Sequence, residues 1–380
     1  MIRVIEAISD TNIGGAGRLL LARLEESDRS RFEETVILPK ASKLCPHLEA
    51  LGVKYIEIDG CADRSLDIFA IPKLWREIRR IRPHILNSHA CLGARIAGRI
   101  AGVPTIIQTR HSSFPLSKIY EHRAVRAVVR VASRTFSDRI IAVAHIVEND
   151  LVRMGVEHER ISVIINGARP LCRASESDIK VARERLGIPN GARIVGICAR
   201  LEKCKDHATF LRAAKQICES CRDYRFLIVG EGSERRALES LAKRLGVADS
   251  VIFTGFCENI TEYMSLFDIN INCSVGTETS SLALSEGMSL GIPAIASDYG
   301  GNPYMVRDGV NGFLYPQGNA EELAKKILLL EDKKLYEKLS RGARERFESE
   351  LNARRMTRLT EKLYSLLLKK RIDRYRSMRP

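Results

Sequence analysis

Glu278 and Glu286 stand eight residues apart in the stretch SVGTETSSLALSEGMSLGIPAIASDYGG, and Arg200 and Lys205 stand five apart after the apolar run GICA. These are anions and cations of the kinds that grip polyols and phosphates. A carboxylate accepting two vicinal hydroxyls is a common way to hold a ribose. Arg binds two phosphate oxygens through its planar fork, and Lys adds a mobile point charge. Just past Glu278, Thr279, Ser280 or Ser281 is a natural helix N-cap, and Leu282, Ala283, Leu284, Met288 and Leu290 make the following helix mostly apolar. The free N–H groups and positive dipole end of such a helix attract phosphate. Glu278 precedes that end, and Glu286 is expected about two turns inside, roughly 9 Å along. One carboxylate would then lie near a sugar and the other near a ribose, with a diphosphate between them. The alternative for Glu286 is a solvated surface position, which its apolar neighbours argue against. Taken alone, Arg200 and Lys205 read more readily as exposed loop cations than as a phosphate clamp. Gly230-Glu231-Gly232 after FLIV would let backbone approach a ligand closely, a weak signal because such glycines are common.

Short apolar, β-branched runs must position these groups. They fall at 3–8, 35–38, 85–87, 105–109, 139–143 and 162–165, then again at 193–198, 225–229, 250–253, 269–273 and 294–297. Continuous apolar strands separated by helices signal parallel sheets covered on both faces. The fold class is therefore α/β, with two doubly wound, Rossmann-like domains. Strand periodicity lapses around Ala168–Ser177, where Pro170 and then Pro189 and Gly191 punctuate the chain. The expected domains are 1–170, 171–350, and a helical segment with a basic tail at 351–380. Open α/β sheets bind ligands beyond the carboxyl ends of their strands, so two facing domains would enclose a cleft.

Nowhere do 18 apolar residues run together without charge, and the N-terminal run, broken by Arg3, Glu6 and Asp10, reads as a strand rather than a signal peptide. Of ten cysteines only Cys218 and Cys221 share a C-x2-C spacing, and no second pair completes a zinc site. The net charge of +14 is uneven. Residues 61–139 hold 15 Lys and Arg against 5 Asp and Glu, and residues 351–380 hold 10 against 2. Two basic regions point to an anionic partner. In YEHRAVRAVVRVASRTF, Arg123, Arg126, Arg130 and Arg134 share a helical face, flanked by Val125, Val128, Val129 and Ala132. That is the pattern of an interfacial helix, and equally of an amphipathic helix packed on its own sheet. With KKRIDRYRSMR it suggests attachment to an anionic membrane. No dedicated nucleic-acid motif is present, so nucleic acid is not an expected partner.

Together these pieces resemble the retaining glycosyltransferases of family four, the glycosyl transferases group 1. The resemblance lies in the E-x7-E pair Glu278 and Glu286, the Arg200/Lys205 pair, the V-G-x-G turn at Val229–Gly232, and the run ASDYGG…DGVNGFLYP. It continues in the N-terminal half through NIGGAG, LNSHACLGARIAGRIAGVPTIIQTRHSS and VIINGA. It implies the GT-B architecture, with the C-terminal helix returning to the first domain. It also implies that Glu286 holds the donor ribose, that Arg200 and Lys205 hold the diphosphate, and that Glu278 sits beside the transferred sugar. Backbone N–H groups of Ser281 and Leu282 would touch the phosphates or sugar, Gly230 and Gly232 would line the donor site, and Gly14-Gly15 would close over the diphosphate. His111 matches a histidine facing the reacting centre, although by residue type alone it reads as a structural or a surface histidine; His89 has a weaker case. Three positions depart from the pattern: Thr279 where a glycine is common, Asn302-Pro303-Tyr304 in place of an acidic ending, and Arg169 where an aspartate is frequent.

The implied reaction moves a sugar from a nucleoside-diphosphate donor, by family frequency a UDP-sugar, to a lipid-linked or polysaccharide acceptor in envelope- or capsule-type glycan synthesis. Breaking the anomeric bond builds oxocarbenium character on the sugar and negative charge on the diphosphate. Cations and a helix end can stabilise the latter, and the chain has no D-x-D carboxylate pair, so no metal or other cofactor is expected. The resemblance leans to attack on the face of departure. Cytoplasmic placement, peripheral on the inner membrane face, would suit a lipid-linked acceptor. An epimerase of the same architecture, or a non-catalytic nucleotide-sugar-binding module, are the alternatives; the complete residue set favours transfer.

Overall fold

The computed structural model describes residues 1–113, 116–221, 223–257 and 259–377, with backbone alone at 374–377. The chain divides into two compact units, Met1–Gly167 with Ala353–Pro380, and Ala168–Asn352.

In the first unit β1 (Ile2–Ile8), α1 (Gly15–Glu25), β2 (Phe32–Pro39), α2 (Cys45–Ala50), β3 (Lys54–Ile58), α3 (Ile71–Ile81) and β4 (Ile85–His89) come first. They are followed by α4 (Leu92–Ile100), β5 (Thr105–Arg110), α5 (Arg123–Phe136), β6 (Arg139–Ala142), α6 (His145–Arg153) and β7 (Ile161–Val163). Among the described residues seven strands form one sheet in the order β3-β2-β1-β4-β5-β6-β7. The pairings are parallel, with Val4 opposite Ile85 and Ile85 opposite Thr105. One core layer packs Ile5, Ile37, Leu86 and Ile106 against Leu74, Ile78, Ala94 and Ala97; the other packs Val36 and Leu38 against Leu20 and Leu24.

The second unit runs α7 (Glu176–Arg185), β8 (Arg193–Cys198), α8 (His207–Ser220), β9 (Tyr224–Val229), α9 (Arg235–Leu245), β10 (Val251–Gly255), α10 (Thr261–Met264) and β11 (Ile269–Asn272). Then come α11 (Leu282–Ser289), β12 (Ala294–Ser297), α12 (Asn302–Met305), β13 (Gly312–Tyr315), α13 (Ala320–Leu329) and α14 (Lys333–Arg346). Six described strands pair as β10-β9-β8-β11-β12-β13, again parallel. Sequence periodicity missed β3 and β13, and both are edge strands. An edge strand needs no continuous apolar run: β3 reads KYIEI and β13 the four-residue GFLY.

The last helix, α15 (Ala353–Ser377), belongs to the first unit and lies along α1. Thr357 Oγ1 donates to the Arg23 carbonyl at 3.3 Å, and the Asp28 N–H donates to Glu361 Oε1 at 2.8 Å. In each sheet the direction of winding reverses at one place, between β1 and β4 and between β8 and β11. Ligands of doubly wound sheets bind beyond the strand ends at such reversals. His89, Arg200, Lys205 and Glu278 all follow or end strands at these two places.

Candidate functional site

In the second unit Glu278 lies in the loop from β11 to α11 and is 8% exposed. Its Oε2 receives hydrogen bonds from Lys205 Nζ at 2.7 Å, Asn272 Nδ2 at 3.0 Å and Ser274 Oγ at 2.9 Å. Two of these donors, Asn272 and Ser274, escaped the sequence reading. Their signal was polar residues at the end of the strand ININ, where a purely apolar strand would have continued into the core. The loop is held by backbone packing. A Cβ on Gly300 would come within 2.3 Å of the Glu278 carbonyl oxygen, and one on Gly301 within 1.7 Å of the Thr279 oxygen. The Gly301 N–H donates to the Glu278 carbonyl at 3.0 Å. Asn302, one of the departures from the family pattern, is fully buried and donates to Asn272 Oδ1 at 3.3 Å and the Ser297 carbonyl at 3.1 Å, bracing the same loop.

Arg200 is exposed at the end of β8. Gly230 and Gly232 sit against its loop: Cβ atoms there would meet the Ala199 oxygen at 2.1 Å and the Leu201 oxygen at 2.4 Å. Gly230 also has φ +144°, a conformation that side chains resist. What these glycines do in the structure is let two backbones touch, which fixes the segment carrying Arg200.

Ser281 caps α11, its Oγ accepting from the Leu284 N–H at 3.3 Å. The Ser281 N–H, expected to face phosphate, donates to Met305 Sδ at 3.1 Å, whereas the Leu282 N–H opens the helix, where no intrahelical acceptor exists. Glu286 is buried at 6% exposure, which removes the solvated-surface alternative. It is the fifth residue of α11, about a turn and a half in rather than two, because the cap falls at the last of the three candidate positions.

In the first unit Gly14 and Gly15 are exposed at the start of α1; Gly14 is its N-cap and the first turn carries no acid. Beyond β5, His111 Nε2 lies 2.8 Å from His89 Nδ1, the two rings stacked with centroids 5.1 Å apart. His89 Nε2 lies 2.8 Å from Glu6 Oε2, and Asn87 Nδ2 donates to the same oxygen at 2.9 Å. Glu6 Oε1 accepts from Arg23 at 2.8 Å and from the Tyr364 hydroxyl of α15 at 2.8 Å. Burial alone would raise the Glu6 carboxyl; Arg23, then the His89 and Tyr364 contacts, outweigh it and hold the group below the usual range. Burial, with the nearby His89 second, pushes His111 down to about 3, so its ring stays neutral. Glu6 was visible in the sequence only as an acid interrupting an apolar strand, a pattern that demands a buried partner.

The surface of α5 is unusual. Of its residues only Ser133 is buried, and Val128 and Val131 are 68% and 63% exposed. Ala124, Ala127, Val128 and Val131 form an exposed apolar stripe beside Arg123, Arg126, Arg130 and Arg134. Of the valines named from the sequence, Val129 packs against the core as the packed alternative expects, whereas Val128 does not. Arg371 of α15 reaches Asp138, just past α5, at 4.0 Å, which brings the two basic regions together; Arg374 and Arg376 fall among side chains not described, and Arg379 lies outside the described residues. No helix is long and apolar enough to cross a membrane among the described residues. Nor do three His, Cys, Asp or Glu side chains cluster there as metal ligands, and Cys218 and Cys221 are free thiols.

Residues 178–346 match the family described as glycosyl transferases group 1, and residues 13–170 match glycosyltransferase family 4. The chain is 27% identical over 254 residues to the 2-deoxystreptamine glucosyltransferase of Streptomyces kanamyceticus, covering 63% of this chain and 64% of that protein. It is 23% identical over 353 residues to an Escherichia coli UDP-Gal:α-D-GlcNAc-diphosphoundecaprenol α-1,3-galactosyltransferase, covering 90% of each. Among solved structures, Anabaena HepE in complex with UDP superposes with a TM-score of 0.80 at 24% identity, over 96% of this chain and 100% of that one. Two parallel α/β units of this topology, matched over residues 13–170 and 178–346 by glycosyltransferase domains, place this chain in the GT-B glycosyltransferases.

Proposed function

We propose that the chain transfers a glycosyl group, with retention, from a nucleoside-diphosphate-sugar to a lipid-linked or polysaccharide acceptor. The observation that carries the reading is the second unit's arrangement: buried Glu278 bonded to Lys205, and buried Glu286 on the helix that follows. Isolated buried carboxylates are costly, so two near one strand-end reversal call for a polar ligand or partners. A UDP-sugar is the favoured donor. HepE has been solved with UDP and with UDP-glucose, and the E. coli relative takes UDP-Gal and a diphosphoundecaprenol acceptor by name.

In this reading Glu286 accepts the ribose hydroxyls. Arg200, Lys205, the Leu282 N–H and the α11 dipole stabilise charge on the diphosphate as its bond to the anomeric carbon breaks. Glu278 pairs with Lys205 and faces the sugar. Gly14 and Gly15 present backbone N–H groups to the diphosphate, with Ser281 shaping the turn. His111 contacts the transferred sugar. The cations take the place of a metal, and no other cofactor is required. The exposed α5 stripe with its arginines rests on the anionic inner face of a membrane, where a lipid-linked acceptor lies.

A screen of UDP-, GDP- and ADP-sugars for thermal stabilisation and slow hydrolysis tests the donor class. Stabilisation by UDP-sugars above the others is expected; no response to any of them would overturn the reading.

A further inference from the structure

The Glu6–His89–His111 chain of contacts admits few proton arrangements. Glu6 takes hydrogen bonds from Arg23, Tyr364 and Asn87, so it is an ionised acceptor. The Asn87 amide is oriented by Thr109, whose hydroxyl donates to its Oδ1 at 2.8 Å, which leaves Nδ2 facing Glu6. A ring nitrogen 2.8 Å from a carboxylate must carry the proton, so His89 is protonated at Nε2. While His89 is neutral, its Nδ1 is a lone pair, and the 2.8 Å contact to His111 requires His111 to be Nε2–H.

We propose that Glu6 and His89 are positioning residues that set which ring nitrogen of His111 bears its proton, and that charging His89 reverses the choice. The step balances with one proton. His111 takes up a proton at Nδ1, its Nε2 proton crosses the 2.8 Å contact to His89 Nδ1, and the positive charge settles on His89 against Glu6. His111 stays neutral throughout and changes only from the Nε2–H to the Nδ1–H tautomer. Its hydrogen-bonding polarity toward a sugar hydroxyl thereby inverts.

The wiring explains why the charge stops at His89. His111 is strongly disfavoured as a cation by burial, whereas His89 faces an ionised carboxylate. The charged and titratable groups around His89 are Glu6 on β1, Asp10 after β1, Arg23 on α1, Glu34 on β2, His111 after β5 and Tyr364 on α15. Arg23 bonds both Glu6 and Glu34, and Asp10 adds a third acid, so a cation at His89 meets three acids and one permanent cation. The consequence for catalysis rests on the reading of His111 as a substrate-facing residue; the tautomer exchange itself does not.

The test is long-range proton–nitrogen correlation spectroscopy of the full chain labelled with ¹⁵N-histidine, from about pH 8 down to about pH 5. Substitutions His89→Asn and His111→Asn assign the two rings among the eight histidines. As His89 becomes an imidazolium, His111 is expected to remain neutral and exchange Nε2–H for Nδ1–H with the same midpoint. Tyr364→Phe, which takes one donor from Glu6, should move both midpoints upward together; Glu6→Gln should move both downward. A His111 that keeps one tautomer while His89 titrates, or that itself becomes the imidazolium, overturns the proposal. So does an exchange whose midpoint ignores both substitutions. Because the readout needs no turnover, an exchange seen in a chain inactive on every nucleotide-sugar would support the relay and overturn the proposed function instead.

Discussion

Lys205 Nζ and Glu278 Oε2 lie 2.7 Å apart in the second unit, with side chains only 18% and 7% exposed. The two residues named separately as a phosphate clamp and a sugar ligand are therefore one electrostatic unit. Removing either leaves the other short of its charge partner in a poorly solvated place.

Lys205→Ala should consequently lose stability, by about 1–3 kcal/mol for a buried acceptor left short of a charged donor. It should also lose at least ~2 kcal/mol of transition-state stabilisation. Arg200→Ala, at an exposed position, should show a similar kinetic loss with unchanged melting. Denaturant unfolding beside kcat/KM separates the two effects. Near-normal kcat/KM in a folded double variant would remove both residues from the mechanism.

The two glutamates should part company in binding. Glu286→Ala should mainly weaken affinity for the bare nucleoside diphosphate, whereas Glu278→Ala should depress turnover as well. Calorimetry with UDP on each variant is the measurement. Unchanged affinity in Glu286→Ala would rule out a ribose contact.

The glycines predict opposite outcomes from the same substitution. Gly301→Ala would drive a Cβ to 1.7 Å from the Thr279 oxygen, so the loop carrying Glu278 must shift and the protein should lose at least ~2 kcal/mol. Gly15→Ala meets nothing within 4 Å and should fold normally while binding donor less well. A Gly15→Ala protein with wild-type donor affinity would leave that turn without a role in closure.

If Arg200, Lys205 and the α11 N-terminus supply the positive charge as proposed, activity should survive extensive EDTA treatment. Turnover assays before and after chelation check this. Complete loss, restored by Mn²⁺ or Mg²⁺, would show that those groups are insufficient.

Flotation on liposomes tests the α5 surface. At roughly 1 kcal/mol per basic residue near an anionic surface, four engaged arginines give binding that high salt abolishes. Val128→Asp and Val131→Asp change exposed residues, so they should spare the fold and weaken capture. Equal recovery on neutral and anionic vesicles, or none at low salt, would leave α5 an ordinary solvated helix.

By itself the sequence determined the alternation of strand and helix and the two parallel sheets. Those features follow from residues close along the chain: apolar runs make buried strands, and a serine before an apolar segment makes a capped helix. It could not reveal β3 and β13, whose sheet-edge places relieve them of the apolar pattern that marks central strands. Nor could it pair Lys205 with Glu278, or show that Asn272, Ser274 and Asn302 brace that carboxylate, since such contacts depend on which strand ends become neighbours. The Glu6 network is the clearest case. Its partners Arg23, His89 and Tyr364 lie 17, 83 and 358 positions away, and only the folding of α15 back onto α1 brings the tyrosine to the carboxylate. A buried acid announces that partners must exist, because an unpaired charge in the core is too costly to keep; tertiary structure alone decides which they are.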